Sequence, residues 1–206
     1  MTPSQPSANI IWLDSAESTN KCIRKALHDI DNMSVIAAVE QTAGRGQGTH
    51  TWHSRKGYNL TFSMLFRPDN LDVSQIILLT CATTLGIRDY LTEKGIESRI
   101  KWPNDIWVGD RKICGILIEN ILDGNTVSSS IIGIGFNLNQ CRWPADLPNP
   151  ISLKQLTGRK YKLKDELVLL TDKICRRFAQ VGSDAGRVRL QEEFGKVVFR
   201  IPEERQ

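Results

Sequence analysis

Alternating apolar and polar residues between positions 59 and 66 restrict the fold more than any other feature. The apolar positions are Leu60, Phe62, Met64 and Phe66, polar residues stand at 59, 61 and 63, and Pro68 ends the segment. Successive side chains of an extended strand point to opposite faces, so this pattern predicts a half-buried strand. Such a strand is stable only when a second layer of structure covers its apolar face.

Further strand and helix patterns surround this segment. Strands are predicted at residues 10–14, 35–39, 99–101, 106–108, 113–119 and 129–135. Helices are predicted at residues 23–30, 74–94, 167–178 and 190–198. Gly109-Asp110 marks a tight turn between two strands, and Gly95 ends the second helix. We therefore expect an α+β fold, with a mixed, largely antiparallel sheet and helices packed against one face.

The charge balance and the cysteines exclude several classes of protein. The 206 residues carry 27 Lys and Arg against 23 Asp and Glu, and the net charge of +4 is too small to indicate a nucleic-acid partner. Five scattered cysteines without a CxxC pair argue against a disulfide framework and a zinc site, which favours a cytoplasmic protein. The N-terminal residues lack the pattern of a secretory signal, and the longest apolar stretch, residues 76–87, is too short and polar to span a membrane.

A glycine-rich loop at residues 43–48 is the first candidate for binding an anion. In it, Gly44, Gly46 and Gly48 alternate with Arg45 and Gln47. Glycines allow backbone N–H groups to turn toward an anion, and a guanidinium suits a phosphate or a carboxylate. A flexible surface turn explains this stretch equally well.

The second candidate is the segment Lys101-Trp102-Pro103-Asn104-Asp105. Pro103 disfavours helix at Trp102, so Lys101 is expected at the end of an extended segment, with its ammonium projecting from the sheet. Asn104 and Asp105 can fix the turn by side-chain-to-backbone hydrogen bonds. A loop with one solvated lysine is the alternative, but a Trp-Pro pair beside three polar residues favours a functional role.

Three weaker candidates have structural explanations of their own. The segment 133–139 contains two glycines and two asparagines, which suit a closely approaching ligand but are explained as well by a β-bulge and a turn. Helix capping explains Ser18-Thr19-Asn20, and a polar strand end explains Gln41. The three histidines have no catalytic or metal-binding spacing.

Taken in order, these segments resemble the catalytic domain of the biotin protein ligases, the biotin–[acetyl-CoA-carboxylase] ligases. The matching residues are 17–20, 41–47, 52, 59–63, 101–105, 111–117 and 133–137. Each segment alone is a weak signal, but a KWPND segment, an AGRG loop and a GIGxN strand in the family's order are specific. The resemblance implies the biotin/lipoate ligase-like fold, which is similar to that of class II aminoacyl-tRNA synthetases.

The resemblance implies a reaction in two steps. Biotin and MgATP form biotinyl-5′-adenylate and pyrophosphate, and one lysine of a biotin carboxyl carrier protein then attacks the adenylate. The first step brings two anions together, and the resemblance gives the catalytic cations as Lys101 and Arg45. Mg²⁺ is expected to be carried by ATP.

The same resemblance assigns two sets of binding residues. Those expected at biotin are Ser18, Thr19, Asn20, Gln41, Gly44, Arg45, Gly46, Gln47, Lys101, Gly115 and Gly133. Those expected at the nucleotide are Arg45, Trp52, Lys101, Asn104, Lys112 and Asn137. The glycine loop departs from the family pattern at residues 48–50, where one positive charge is missing.

Domain boundaries and partners also follow from the resemblance. Residues 10–200 are expected to form the catalytic domain, between a flexible tail at 1–9 and a tail at 201–206, with neither an N-terminal DNA-binding domain nor a C-terminal SH3-like domain. The expected partners are biotin, ATP and the carrier protein, without nucleic acid or membrane, and a homodimer is left open. Two alternatives are kept: a lipoate or octanoate ligase of the same superfamily, and a non-catalytic regulator that binds biotin or a nucleotide. The KWPND segment and the AGRG loop favour biotin.

Overall fold

A mixed sheet with helices on both faces forms the part of the chain that the structure, a computed structural model, describes. The described residues are 8–200, so the tail predicted at 201–206 and most of the tail predicted at 1–9 lie outside them. The strands are β1 Ile10–Leu13, β2 Val35–Ala38, β3 Leu60–Phe66, β4 Arg99–Lys101, β5 Asp105–Val108, β6 Arg111–Asp123, β7 Thr126–Phe136 and β8 Val198–Phe199. The α-helices are α1 Thr19–Lys25, α2 Ile77–Glu93, α3 Leu153–Thr157, α4 Leu163–Ala179 and α5 Asp184–Val197.

The order of strands across the sheet is β1-β2-β3-β7-β6-β5-β4-β8. The pairs β1/β2 and β4/β8 are parallel, and the other neighbouring pairs are antiparallel. The predicted α+β class with a mixed, largely antiparallel sheet is therefore confirmed. This order also brings the ends of β2, β4 and β7 and the start of β6 to one region, where the sequence candidates lie.

Glycines at left-handed positions terminate elements as the sequence predicts. Gly95 follows α2 with a φ of 74°, and Gly109 turns between β5 and β6 with a φ of 60°. A third, Gly124, joins β6 to β7 with a φ of 56° and extends that hairpin beyond its predicted limits. The hydrophobic pattern does not predict this extension, because backbone pairing continues where side chains are no longer buried. Leu122, for example, is 51% exposed.

The two faces of the sheet are covered by different elements. On one face, apolar residues of β3 such as Phe62 and Met64 join the main core with α2, α4 and α5. On the other face, Ile23 of α1 packs with Leu65 and Ile131. The expectation that all helices lie against one face is therefore wrong for α1.

The prediction of a half-buried β3 is also wrong, because every residue of β3 is buried. The polar side of the strand is covered by α1, and its side chains are hydrogen-bonded there. The Thr61 hydroxyl donates to the Ala38 carbonyl at 2.8 Å, and Ser63 contacts the side chains at the start of α1. Alternation shows which residues share a face, but it does not show whether that face meets water.

Within residues 8–200, the helices are too short or too polar to cross a membrane.

Candidate active site

A cavity of about 800 Å³ opens on the face of the sheet that carries α1. Its wall is formed by the start of α1, the glycine-rich loop, the segment that follows β4, and the middle of β6 and β7. The cavity brings together all the predicted site residues except Gly44 and Asn137. Residues separated by more than a hundred positions in the chain therefore contribute to one space.

Three glycines form the floor of this cavity. Gly115 of β6 is paired with Gly135 of β7, and Gly133 is paired with Leu117. A Cβ atom built on Gly135 would lie 2.1 Å from Cε2 of Trp52, and one built on Gly133 would lie 2.3 Å from Oδ1 of Asn20. These glycines are required because other side chains occupy the space in which their own Cβ atoms would stand.

Hydrogen bonds between polar side chains define one end of the cavity. Oε1 of Gln41 accepts from the Thr19 backbone N–H at 2.8 Å and lies 3.0 Å from the Thr19 hydroxyl, which also donates to it. The Ser63 hydroxyl lies 2.7 Å from Oγ1 of Thr19 and 2.6 Å from Oδ1 of Asn20. Ser18 is the N-cap residue of α1, but its side chain makes no capping hydrogen bond. Helix capping is therefore the wrong explanation for the side chains of Ser18, Thr19 and Asn20, which turn toward the sheet and the cavity.

The glycine-rich loop forms a small hairpin that places Trp52 over the floor. The Trp52 N–H donates to the Gly44 carbonyl at 3.0 Å, and the Gly46 N–H donates to the His50 carbonyl at 2.8 Å. A Cβ atom on Gly44 would lie 2.6 Å from the Trp52 carbonyl oxygen, so Gly44 acts through this backbone contact and not as a cavity wall. Nε1 of Trp52 is buried and, within the described part of the chain, has no hydrogen-bond partner.

Glu119 of β6 connects the polar end of the cavity to the glycine-rich loop. Its Oε2 accepts from Nδ2 of Asn20 at 2.8 Å, and its Oε1 accepts from Nη1 of Arg45 at 3.3 Å. Arg24 lies near the same oxygen, at 3.7 Å. The guanidinium of Arg45 is thus held by a carboxylate at the edge of the cavity.

Two lysines occupy the other end of the cavity. Lys112 lies 2.7 Å from Oδ1 of Asp105, in an ion pair that lacks the alignment of a hydrogen bond. Lys101 lies at the end of β4, as expected from the residue order Trp102-Pro103, and its Nζ lies 4.9 Å from the centroid of the Trp107 ring. The Trp102–Pro103 peptide bond is cis. This end of the cavity is positively charged and suits an anion.

Two of the residues predicted to bind the nucleotide, Asn104 and Asn137, donate hydrogen bonds to backbone carbonyls of β6. Nδ2 of Asn104 donates to the Ile116 carbonyl at 2.7 Å, which fixes the turn after β4 to β6, although Asn104 also lines the cavity. Asn137 lies outside the cavity wall and donates to the Lys112 carbonyl at 3.3 Å. Its Oδ1 is buried and has no partner among residues 8–200.

Sequence reasoning missed several residues of the site. They are Ser63, Trp107, Glu119, His50, Pro148 and Asn149. A period-two pattern could have found Glu119, because it shares a face of β6 with Gly115 and Leu117. The same argument applies to Ser63, which is two residues beyond Thr61 on β3.

Burial, and not activation, determines the ionisation of Cys114, which directly precedes Gly115 of the cavity floor. Burial raises the pKa of the Cys114 thiol well above its usual range, so the thiol stays neutral. Cys114 belongs to the main core. In residues 8–200, there is also no group of three His, Cys, Asp or Glu side chains that could hold a metal ion.

The fold and the cavity define a class of domain in which a cavity with polar, apolar and cationic parts lies on a largely antiparallel sheet. The polar end, the glycine floor and the two lysines follow one another along the cavity. A family model described as the biotin/lipoate A/B protein ligase family matches residues 12–137. The chain belongs to this family.

Curated relatives and solved structures agree with this assignment. The chain is 35% identical over 159 residues to the bifunctional ligase/repressor BirA of Bacillus subtilis, an alignment that covers 74% of the chain and 48% of the relative. It is 28% identical to the biotin–[acetyl-CoA-carboxylase] ligase of Paracoccus denitrificans, covering 82% of the chain and 72% of that protein. The chain thus spans about half the length of the BirA relatives that it matches.

Two solved structures extend the similarity over nearly all of the chain. The biotin protein ligase of Aquifex aeolicus, in complex with biotin and ATP, superposes with a TM-score of 0.75 at 25% identity and covers 90% of this chain and 76% of that one. The biotin protein ligase of Leishmania major, in complex with biotinyl-5-AMP, gives the same TM-score and identity and covers 93% of this chain and 81% of that one.

Proposed function

We propose that this chain activates biotin with MgATP and transfers it to a lysine of a biotin carboxyl carrier protein. One observation carries the proposal: a single cavity joins a polar end, a floor of glycines and a cationic end. The relatives support it, since the Aquifex aeolicus protein is described in complex with biotin and ATP.

The polar end suits the ureido ring of biotin. That ring presents N–H donors and a carbonyl acceptor at one edge, and Thr19, Asn20 and Gln41 offer both kinds of partner. The glycine floor seats the side chains of Asn20 and Trp52 close to the sheet, and the thiophane ring and the valeryl chain are proposed to pass over these side chains. In this arrangement the carboxylate of biotin extends toward Lys101.

The cationic end suits the first chemical step. A carboxylate oxygen of biotin attacks the α-phosphorus of ATP, a P–O bond forms, and pyrophosphate leaves with the electrons of the broken bond. Lys101 and Arg45, whose guanidinium Glu119 holds at the edge of the cavity, offset the repulsion between the two anions and the charge that develops on the phosphate. Lys112 and Trp52 are the proposed contacts of the nucleotide, and Mg²⁺ is bound by the phosphates of ATP.

The second step needs an amine from outside the chain. The neutral lysine amine of the carrier attacks the acyl carbon of biotinyl-AMP, AMP leaves with the electrons of the broken C–O bond, and the nitrogen releases a proton as the amide forms. Positioning accounts for most of the rate in both steps, because the enzyme forms no covalent intermediate. We place this reaction in the cytoplasm, because the cysteines are free and scattered, as is typical of a reducing compartment.

Transfer of biotin to a carrier tests the proposal. The chain is incubated with MgATP, biotin and an apo biotin carboxyl carrier domain, and the product is detected with avidin; lipoate and an apo lipoyl domain are the parallel arm. We expect biotin transfer and no lipoate transfer. Lipoate transfer alone would establish the alternative ligase, and binding of biotin without transfer would establish a regulator.

A pair of lysine variants separates chemistry from folding. Lys101→Ala should abolish the release of pyrophosphate that depends on biotin, while the melting temperature changes little. Lys160→Ala is the matched control, because Lys160 is exposed and does not line the cavity. If Lys101→Ala keeps the wild-type rate, the role given to Lys101 is wrong.

A further inference from the structure

A second cavity, of about 420 Å³, lies between the end of β3 and α4. Its wall is formed by the turn before β2, the segment that follows β3, the last turns of α4 and one residue of α5. It shares no lining residue with the candidate active site. Its volume falls within the range of about 300–1,000 Å³ that is typical of small-molecule sites.

The inner wall of this second cavity is apolar. Phe66 at the end of β3 and Phe178 on α4 are both buried, and their ring centroids lie 4.5 Å apart. Val181 is also buried, and Met33 is partly buried against the main core. An apolar body can therefore be removed from water here, which favours its binding.

Arg187 brings a positive charge to the second cavity and is held there by neutral groups. It donates to the carbonyls of Val181 and Asn70 at 2.8 and 2.9 Å, and to Oε1 of Gln75 at 3.1 Å. Its ion-pair contact is with Asp184, whose side chain is fully exposed and lies 4.0 Å away. Carbonyl partners satisfy the N–H donors of a guanidinium but leave its charge uncompensated.

Arg67 is held in a similar way at the other side of the second cavity. Its Nη2 donates to the carbonyls of Leu27 and Ile30, the second at 3.1 Å. Arg67 and Arg187 are both partly buried. A charge that is partly removed from water is stabilised by a partner of opposite sign, so an anionic group is favoured between them.

The acidic residues of the second cavity do not offset these two arginines. Oδ2 of Asp172 lies 2.9 Å from Nε of Arg176, so that aspartate already has a cationic partner. Asp69 is exposed, where water and salt screen its charge. The second cavity therefore combines an apolar interior with uncompensated positive charge.

We propose that the second cavity binds a small organic carboxylate with an apolar aryl or alkyl body. The body packs beside Phe66 and Phe178, and the carboxylate accepts from Arg67 and Arg187. Each guanidinium carries five N–H donors, so donors remain for this ligand. The inference is independent of the proposed function, because the two cavities have no lining residue in common.

A charged and a neutral probe of the same size test the class of ligand. Calorimetric titration of the full chain with 4-phenylbutyrate should show one saturable site with a Kd of about 1 mM or lower. Its amide, 4-phenylbutyramide, should bind at least about tenfold more weakly, because it lacks the charge that strengthens hydrogen bonds to arginine. Equal or reversed affinities would overturn the proposal, as would the absence of saturable binding at millimolar concentrations.

A side chain built into the second cavity tests the location. Gly182 lines the cavity, and a Cβ atom added to it would meet no atom within 4 Å, so Gly182→Trp can fill the space without displacing neighbours. Gly195→Trp is the matched control, since Gly195 is exposed, has equally open surroundings and lines neither cavity. We expect Kd for 4-phenylbutyrate to rise at least about tenfold in Gly182→Trp and to stay unchanged in Gly195→Trp, with melting temperatures close to wild type. Wild-type affinity in Gly182→Trp would overturn the assignment to this cavity.

Alkylation of the wild-type chain gives a measurement that needs no variant. The free thiol of Cys175 lines the second cavity, whereas the exposed Cys141 does not. 4-Phenylbutyrate should slow the reaction of Cys175 with iodoacetamide in proportion to the occupied fraction, and should leave Cys141 unaffected, as followed by mass spectrometry. An unchanged rate at Cys175, at a concentration that saturates the calorimetric signal, would also overturn the location.

Discussion

The indole of Trp52 lies directly on Gly135. A Cβ atom at position 135 would stand 2.1 Å from Cε2 of the ring and 2.5 Å from its Nε1. Gly135 belongs to β7 and Trp52 to the loop between β2 and β3, so this contact joins the loop to the sheet. The absence of a side chain at one position thus determines where an aromatic ring can lie over the cavity.

Gly135→Ala should displace Trp52 and weaken the nucleotide end of the site. We expect KM for MgATP to rise at least about tenfold, which corresponds to about 1.4 kcal/mol, while the sheet remains folded. Gly195→Ala is the control, since no atom lies within 4 Å of the Cβ it would add, and it should leave KM unchanged. A wild-type KM in Gly135→Ala would show that the contact between Trp52 and Gly135 has no part in binding.

Glu119→Gln should weaken the binding of biotin. The two oxygens of Glu119 accept from Asn20 and Arg45, and an amide has only one oxygen to accept with. The loss of one charge-assisted hydrogen bond is worth about 1.5–3 kcal/mol, so Kd for biotin should rise about tenfold or more. Titration of biotin binding by calorimetry checks this, with the exposed Glu192→Gln as control. Equal affinities of the two variants would contradict the role given to Glu119.

Ser63→Ala should affect both stability and biotin binding. The Ser63 hydroxyl is fully buried and lies within 2.7 Å of both Thr19 and Asn20. Its removal leaves buried polar groups without a partner, at a cost of about 1–3 kcal/mol in the free energy of unfolding. Urea unfolding and biotin titration are the measurements, and Ser128→Ala, at an exposed position, is the control. Loss of stability with unchanged biotin affinity would mean that Ser63 supports only the fold.

Stability should fall at alkaline pH because thiols are buried. Burial raises the pKa of Cys81 to about 12 and that of Cys175 to about 11, from an ordinary value of 9.0. The unfolded chain loses these protons near the ordinary value and the folded chain does not. The stabilisation is therefore complete below the ordinary value and is lost as pH rises through the folded values.

The variant Cys175→Ala isolates one of these contributions. Urea unfolding of this variant should show a smaller decrease in stability than wild type between about pH 8 and about pH 10.5. Identical decreases would show that the Cys175 thiol does not contribute. The exposed Cys141, which should react with a thiol reagent in the folded protein, provides a control for access.

The sequence by itself indicated most of the strands, the long helix and many of the residues that line the cavity. The alternation in β3, the glycines at 95 and 109 and the order of the motifs are local signals, and the structure confirms the elements that they predict. Local signals suffice here because backbone geometry and side-chain periodicity act within a few residues.

The tertiary structure alone decided which of these residues meet and what covers the polar side of the sheet. Asn20 and Glu119 lie 99 positions apart, and nothing in either segment indicates the other. The polar positions of β3 predicted a solvent-facing surface, but α1 and the cavity occupy that side. Likewise, three charged residues near one end of the sheet could pair in two ways, and the register of β4, β5 and β6 gives Asp105 to Lys112 and leaves Lys101 to Trp107. Such choices depend on contacts between distant segments, which form only when the whole sheet is assembled.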